Sequence, residues 1–258
     1  MKIYQFIGTR NKADFVIYLA HAISTLEKRI LIVDQTTNEW YRHGYVRLPE
    51  NEHLYDLQGI DILCGTQNWL DVEECLRRVG ETTSNYDVIM FDIDHVDILQ
   101  QEWPEFDERF YVGDFEREHI MRDAKMLDAA IKNSGNNSFR HITFTAKYQM
   151  NPNFIEVLLK EKIHWNSINY IFESSEETDE MRLTIQHEQT VPYKKLNKQY
   201  KDLFAGLVAE LMTVHSDEVK ERQRGSFLGG LFTKKPKLEV PEVDEEKTLQ
   251  VYNFEKIK

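Results

Sequence analysis

The stretch Ile3-Tyr4-Gln5-Phe6-Ile7-Gly8-Thr9-Arg10-Asn11-Lys12-Ala13-Asp14-Phe15-Val16 changes its period once, and that change decides the fold. Ile3 to Ile7 is a short apolar run ending at Gly8, which predicts a strand. Gly8 to Lys12 is polar loop chemistry. From Ala13 onward Phe15, Val16, Leu19, Ala20, Ile23 and Leu26 recur at helical spacing and make one apolar stripe. Arg29-Ile30-Leu31-Ile32-Val33-Asp34 follows, a β-branched run of strand length that ends in a carboxylate. Strand, loop, helix and strand in that order imply a parallel pair joined by a right-handed crossover.

The alternation continues along the chain. Ile60 to Cys64 predicts a strand, and Trp69 to Val79 a helix with Leu70, Val72, Cys75, Leu76 and Val79 in rough register. Asp87 to Asp92 reads as a buried strand with an acid at its carboxyl end. Asp114 to Lys132 predicts a polar helix that stops at Ser134-Gly135-Asn136-Asn137. His141 to Thr145 predicts a strand, Pro152 to Lys160 a short helix, and Ile168 to Phe172 a further strand. An acidic loop is expected from Glu173 to Glu180. Tyr200 to Val214 predicts a helix with Leu203, Phe204, Leu207, Val208 and Leu211 on one face. Such alternation predicts an α/β fold, a doubly wound and mainly parallel sheet with helices on both faces. Residues 1–216 are expected to form that domain, and residues 217–258 a basic-apolar segment followed by a flexible acidic tail.

Composition narrows the function classes. The chain has 258 residues, 41% of them hydrophobic, which is enough for a sizeable core. Thirty-two basic residues face 44 acidic ones, a net charge of −12. That balance argues against a surface built for nucleic acid, because phosphate neutralisation needs a clustered positive field. No apolar run approaches the roughly 20 residues of a membrane span. The amino terminus has no signal-peptide pattern. Cys64 and Cys75 are too few for a disulfide framework or a zinc cluster and point to reduced thiols in the cytoplasm.

In open α/β sheets ligands bind outside the carboxyl ends of the strands. The loop from Gly8 to Asp14, Asp34 and Asp92 all fall there. The order and spacing resemble the MinD/ParA family of deviant Walker ATPases, including the TadZ/CpaE proteins of pilus assembly, over roughly residues 2–214. The family pattern is a strand, Lys-Gly-Gly-x-Gly-Lys-Thr-Thr, a helix containing Asn-Leu-Ala, and a strand ending Leu-Leu-x-Asp. Matching Tyr18-Leu19-Ala20 to the helix signature places Ile7 to Asp14 on the phosphate loop. The resemblance then gives Lys12 the place of the phosphate-binding lysine and Asp34 that of the acid closing the second strand. Tyr86-Asp87-Val88-Ile89-Met90-Phe91-Asp92 resembles the family's Walker B strand, with Asp92 as the acid near magnesium. It implies a P-loop NTPase-like fold, ATP with Mg as cofactor where the site is competent, dimerisation, and protein partners.

The departures sit in one loop. Ile7 stands where the signature lysine belongs. Thr9 and Asn11 replace glycines that let backbone approach a phosphate closely. Ala13 replaces the magnesium-binding hydroxyl, and Asp14 adds a negative charge beside the anion site. Gly8 and Lys12 alone remain of the pattern. The expectation is a degenerate site that binds no cofactor and does not hydrolyse ATP.

Other motifs carry less. Asp92, Asp94 and Asp97 sit at a strand end, where oxygen ligands suit a hard cation; a solvated loop explains the same residues. The histidines have no His-Glu-x-x-His spacing, and no Gly-x-Ser-x-Gly elbow is present. Trp40, Tyr41 and Tyr45 beside Arg42 and Arg47 read as a stacking or protein-contact group, or as loop packing. In Arg222-Gln223-Arg224-Gly225-Ser226-Phe227-Leu228-Gly229-Gly230-Leu231-Phe232-Thr233-Lys234-Lys235 a helix would place Phe227, Leu228, Leu231 and Phe232 on one side, flanked by cations. That is the chemistry of an interfacial anchor, with residues 222–237 as a peripheral membrane or partner contact. It resembles the short carboxyl-terminal targeting segment of MinD, although Gly229-Gly230 works against a helix.

Together these readings predict a cytoplasmic localisation or assembly factor, peripheral at the inner face of the membrane, that places a pilus or secretion-type machine. Two alternatives stand beside it: an active nucleotide-dependent dimerising switch, in which Lys12, Asp34 and Asp92 still hold Mg-ATP, and a non-enzymatic module that binds a protein partner.

Overall fold

The computed structural model describes residues 1–46, 52–145, 154–160, 162–166 and 169–225. The chain order is β1 (Lys2–Ile7), α1 (Ala13–Ser24), β2 (Ile30–Gln35), α2 (Trp40–Gly44), β3 (Leu54–Leu57), β4 (Ile60–Leu63), α3 (Trp69–Arg78), β5 (Val88–Ile93) and α4 (Val96–Leu99). It continues with β6 (Glu108–Gly113), α5 (Arg117–Ser134), β7 (Ser138–Thr145), α6 (Phe154–Leu158), β8 (His164–Trp165), β9 (Tyr170–Glu173), α7 (Glu176–Glu188), α8 (Lys198–Met212) and α9 (Ser216–Gly225). The strands form one sheet in the order β3-β4-β2-β5-β1-β6-β7-β8, and β9 pairs with β7 further along the same strand. Among the described residues only β3 runs antiparallel, against β4. The sheet is therefore mainly parallel and doubly wound.

Both faces are covered, so the central strands are buried from Ile3 of β1 onward and throughout β2 and β5. In β1, Tyr4 and Phe6 face one core with Phe15 of α1 and Phe204 of α8, while Ile3 and Ile7 face another with Leu76 of α3 and Leu127 of α5. Phe204 ties α8 to the first core, its ring 5.6 Å from Phe15 and 5.1 Å from Phe172 of β9. Met1–Arg224 make one compact unit, which includes α9 up to that residue. Phe227, Leu228, Leu231 and Phe232 lie outside the described residues.

Two elements correct the sequence reading. The acidic run predicted as a loop to Glu180 opens α7 at Glu176. Ser175 and Thr178 form a reciprocal capping box there, which satisfies N–H groups the first turn cannot pair internally. Strand β6, between β1 and β7, was not anticipated at all. Glu108 and Arg109 break its apolar run to Phe110-Tyr111-Val112, too short to signal a strand alone.

Candidate functional site

The carboxyl ends of β1, β2 and β5 are adjacent, and the register aligns Asp92 with both Phe6 and Asp34. Gly8 follows β1 directly. Its φ is +155°, and a Cβ there would lie 2.1 Å from the carbonyl oxygen of Val112 on β6. Glycine is required by this close approach of two backbones. Thr9 gives both its N–H and its hydroxyl to Asp123 Oδ1 of α5, each at 2.7 Å. The loop is thereby fastened to the flank of the crevice before it reaches α1.

Lys12 is the last residue before α1 and its side chain is 1% exposed. Nζ donates to the carbonyls of Gly8 at 2.6 Å and Ile93 at 3.1 Å, and forms an ion pair with Asp92 Oδ1 at 2.6 Å. Three partners match the three protons of an ammonium. Asp92 is fully buried, and burial pushes its carboxyl up while Lys12 and the Tyr41 hydroxyl hold the charged form. Tyr41 links the two strand-end acids: its hydroxyl donates to Asp92 Oδ2 at 2.9 Å and its N–H to Asp34 Oδ2 at 3.0 Å. Asp34 also accepts from Thr36, N–H at 3.0 Å and hydroxyl at 2.6 Å. Burial pushes Asp34 up to about 7, the Thr36 hydroxyl opposes that shift, and neighbouring Asp92 adds to it.

Sequence reasoning therefore found the residues that converge, Gly8, Lys12, Asp34 and Asp92, and missed the two that fasten them, Tyr41 and Asp123. Tyr41 and Tyr45 are fully buried, so this part of the aromatic-arginine run is packing; Arg47 lies outside the described residues. Asp94 accepts from the N–H and hydroxyl of Thr37 at 2.7 and 2.9 Å and contacts His95. Among the described residues no group of three or more His, Cys, Asp or Glu is placed to hold a metal ion. Beside the loop lies a cavity of about 230 Å³ between Arg10, Asp14, His119, Arg182 and Tyr200. Arg10 lies 3.6 Å over the ring of Phe144 and pairs with Asp114 at 3.5 Å, which fixes the wall of that cavity next to α1.

No family model and no curated protein matches the sequence. Solved structures match it by shape. The MinD cell division protein of Aquifex aeolicus is 11% identical, with a TM-score of 0.54 over 83% of this chain and 98% of that one. A ParA family ATPase from Chlorobium tepidum TLS is 13% identical, with a TM-score of 0.50 over 80% of this chain and 98% of that one. The chain has the MinD/ParA fold. At the carboxyl ends of β2 and β5 a cavity of about 390 Å³ is lined by Asp34, Thr36, Gly65 and His95. Position 13 is an alanine without a hydroxyl, and the Lys12 ammonium is engaged with protein oxygens.

Proposed function

We propose that the chain is a MinD/ParA-like localisation or assembly factor that has given up ATP hydrolysis, and that it acts through protein contacts at a membrane-associated machine of the pilus or secretion type. The observation that carries the reading is the buried Lys12–Asp92 pair. A lysine that serves phosphate must present its charge to the crevice. Lys12 instead turns inward, and breaking a buried pair from one side costs about 3–5 kcal/mol. A triphosphate would have to supply that before any net binding. The protein-contact part rests on the shared fold: a structure of the Aquifex MinC:MinD cell division complex, with a TM-score of 0.50 over 83% of this chain, pairs such a fold with a protein partner.

The nucleotide-switch reading keeps one observation in its favour. Among the described residues, the backbone N–H groups of Arg10, Asn11 and Lys12 make no hydrogen bond to the protein, and they sit at the start of α1, where an anion is favoured. Steady-state phosphate release separates the two readings. At saturating Mg-ATP the wild-type rate is expected to equal that of Lys12→Met. Release well above background that Lys12→Met abolishes, with the variant's circular dichroism unchanged, would establish the switch instead.

A further inference from the structure

At the other end of the strands, Arg109 on β6 and Gln5 on β1 sit opposite each other in register. Both are buried, 4% and 3% exposed. Arg109 Nε donates to Gln5 Oε1 at 3.0 Å, and Nη1 donates to Ser134 Oγ at 2.9 Å and to the Asn136 carbonyl at 2.6 Å. The guanidinium lies 4.3 Å over the ring of Phe139. All of its partners are neutral. Among the described residues no carboxylate pairs with it, and Nη2 has no hydrogen-bond partner. Because Gln5 Oε1 accepts from Arg109, the free amide group is the donor Nε2, which is also unpartnered. A guanidinium taken out of bulk water among neutral partners favours an anion beside it.

Both residues line a cavity of about 360 Å³ between the sheet and α5. That volume lies within the range of small-molecule sites. One side of the remaining wall is aromatic and held in place, and Gln101, Asn133 and Asn136 make the rest partly polar. Trp103 Nε1 donates to the Ile98 carbonyl at 2.7 Å, and the rings of Trp103 and Phe106 lie 5.0 and 5.7 Å from Phe91. Pro104 completes that side, and the exposed Glu105 stands at the mouth.

We propose that this cavity binds a small aromatic monocarboxylate, its carboxylate on Arg109 Nη2 and Gln5 Nε2 and its ring between Trp103 and Phe106. Two unpaired N–H donors on neighbouring strands suit the two oxygens of one carboxylate, and a charged acceptor strengthens both bonds. The aromatic side chains of Trp103 and Phe106 suit a ring. Glu105 disfavours anions of higher charge, which sets the site apart from a phosphate site. The proposal is independent of whether nucleotide binds at the opposite end of the sheet.

Benzoate is the probe, with benzamide as its uncharged isostere, titrated into the full chain and read by the Trp103 indole N–H resonance, assigned through Trp103→Phe. Benzoate is expected to saturate the shift at millimolar concentration, with benzamide about tenfold weaker or worse. Arg109→Lys, which keeps the charge and loses the fork, is expected to weaken benzoate about tenfold. Glu105→Gln changes an exposed residue and is expected to tighten it about threefold. No saturable shift with benzoate, equal response to benzamide, or unchanged affinity in a folded Arg109→Lys overturns the proposal. Should Arg109→Lys not fold, the benzamide comparison and Glu105→Gln decide: a Glu105→Gln affinity no tighter than wild type counts against the site.

Discussion

Lys12 shows how one side chain can keep its place in a pattern and change its work. By resemblance of sequence it takes the place of an anion-binding lysine, and its contacts here are those of an internal strut joining the loop to β5. Gly8 is required where it stands because β6 leaves no room for a Cβ. Asp34 gives this scale its prediction. Its folded value of about 7 lies above the ordinary 3.8 of an aspartate, so the folded state keeps a proton that the unfolded chain releases. The stability this contributes is full below about pH 4 and is lost as the pH rises through 7. Asp34→Asn should therefore flatten the fall in unfolding free energy between pH 5 and 7.5 by on the order of 2 kcal/mol, measured by urea denaturation. Identical slopes in the two proteins would show that Asp34 titrates normally.

At the scale of elements, legibility followed apolar periodicity. The helix from Ala13, the strands ending at Asp34 and Asp92, and the helix from Trp69 all carry continuous stripes or runs, and all were readable. Strand β6 was not, because its first two residues are charged and are stabilised only by partners remote in sequence: Arg109 by Gln5, and Glu108 by Arg140. Helix α7 was missed because its buried face consists of Met181 and Ile185 alone, leaving the Ser175–Thr178 cap as its main signal. The same limit hid part of the site. The convergence of Lys12, Asp34 and Asp92 follows from strand order, whereas Tyr41 and Asp123 are brought in by packing. The segment after α9 is argued from sequence alone, with six cations against one acid over residues 220–237 and four large apolar groups between them. It gives a segment-scale prediction. The full chain should float with phosphatidylglycerol vesicles, and a chain lacking residues 226–237, which leaves α9 whole, should stay in the dense fraction. Retention that survives the deletion would remove the anchor from the account.

Over the whole molecule, the mainly parallel sheet sets a crevice at the carboxyl ends of β1, β2 and β5, and a second pocket on the α5 face near the start of β6. In the first, Lys12, Tyr41, Thr36 and Asp123 supply the contacts that hold the loop and the strand-end acids, beside a cavity of about 390 Å³ lined by Asp34 and Thr36. In the second, Arg109 Nη2 and Gln5 Nε2 have no hydrogen-bond partner among the described residues. Among the described residues no helix is long and apolar enough to cross a membrane. What the fold shares with MinD and ParA is its frame, and what this chain does with the frame turns on whether the Lys12–Asp92 pair yields to a ligand. Isothermal titration calorimetry of the full chain with Mg-ATP tests that most directly. The account predicts no saturable heat, corresponding to a Kd weaker than about 1 mM. A one-to-one isotherm with a Kd in the micromolar range, abolished by Lys12→Met in a variant that keeps its fold, would contradict it.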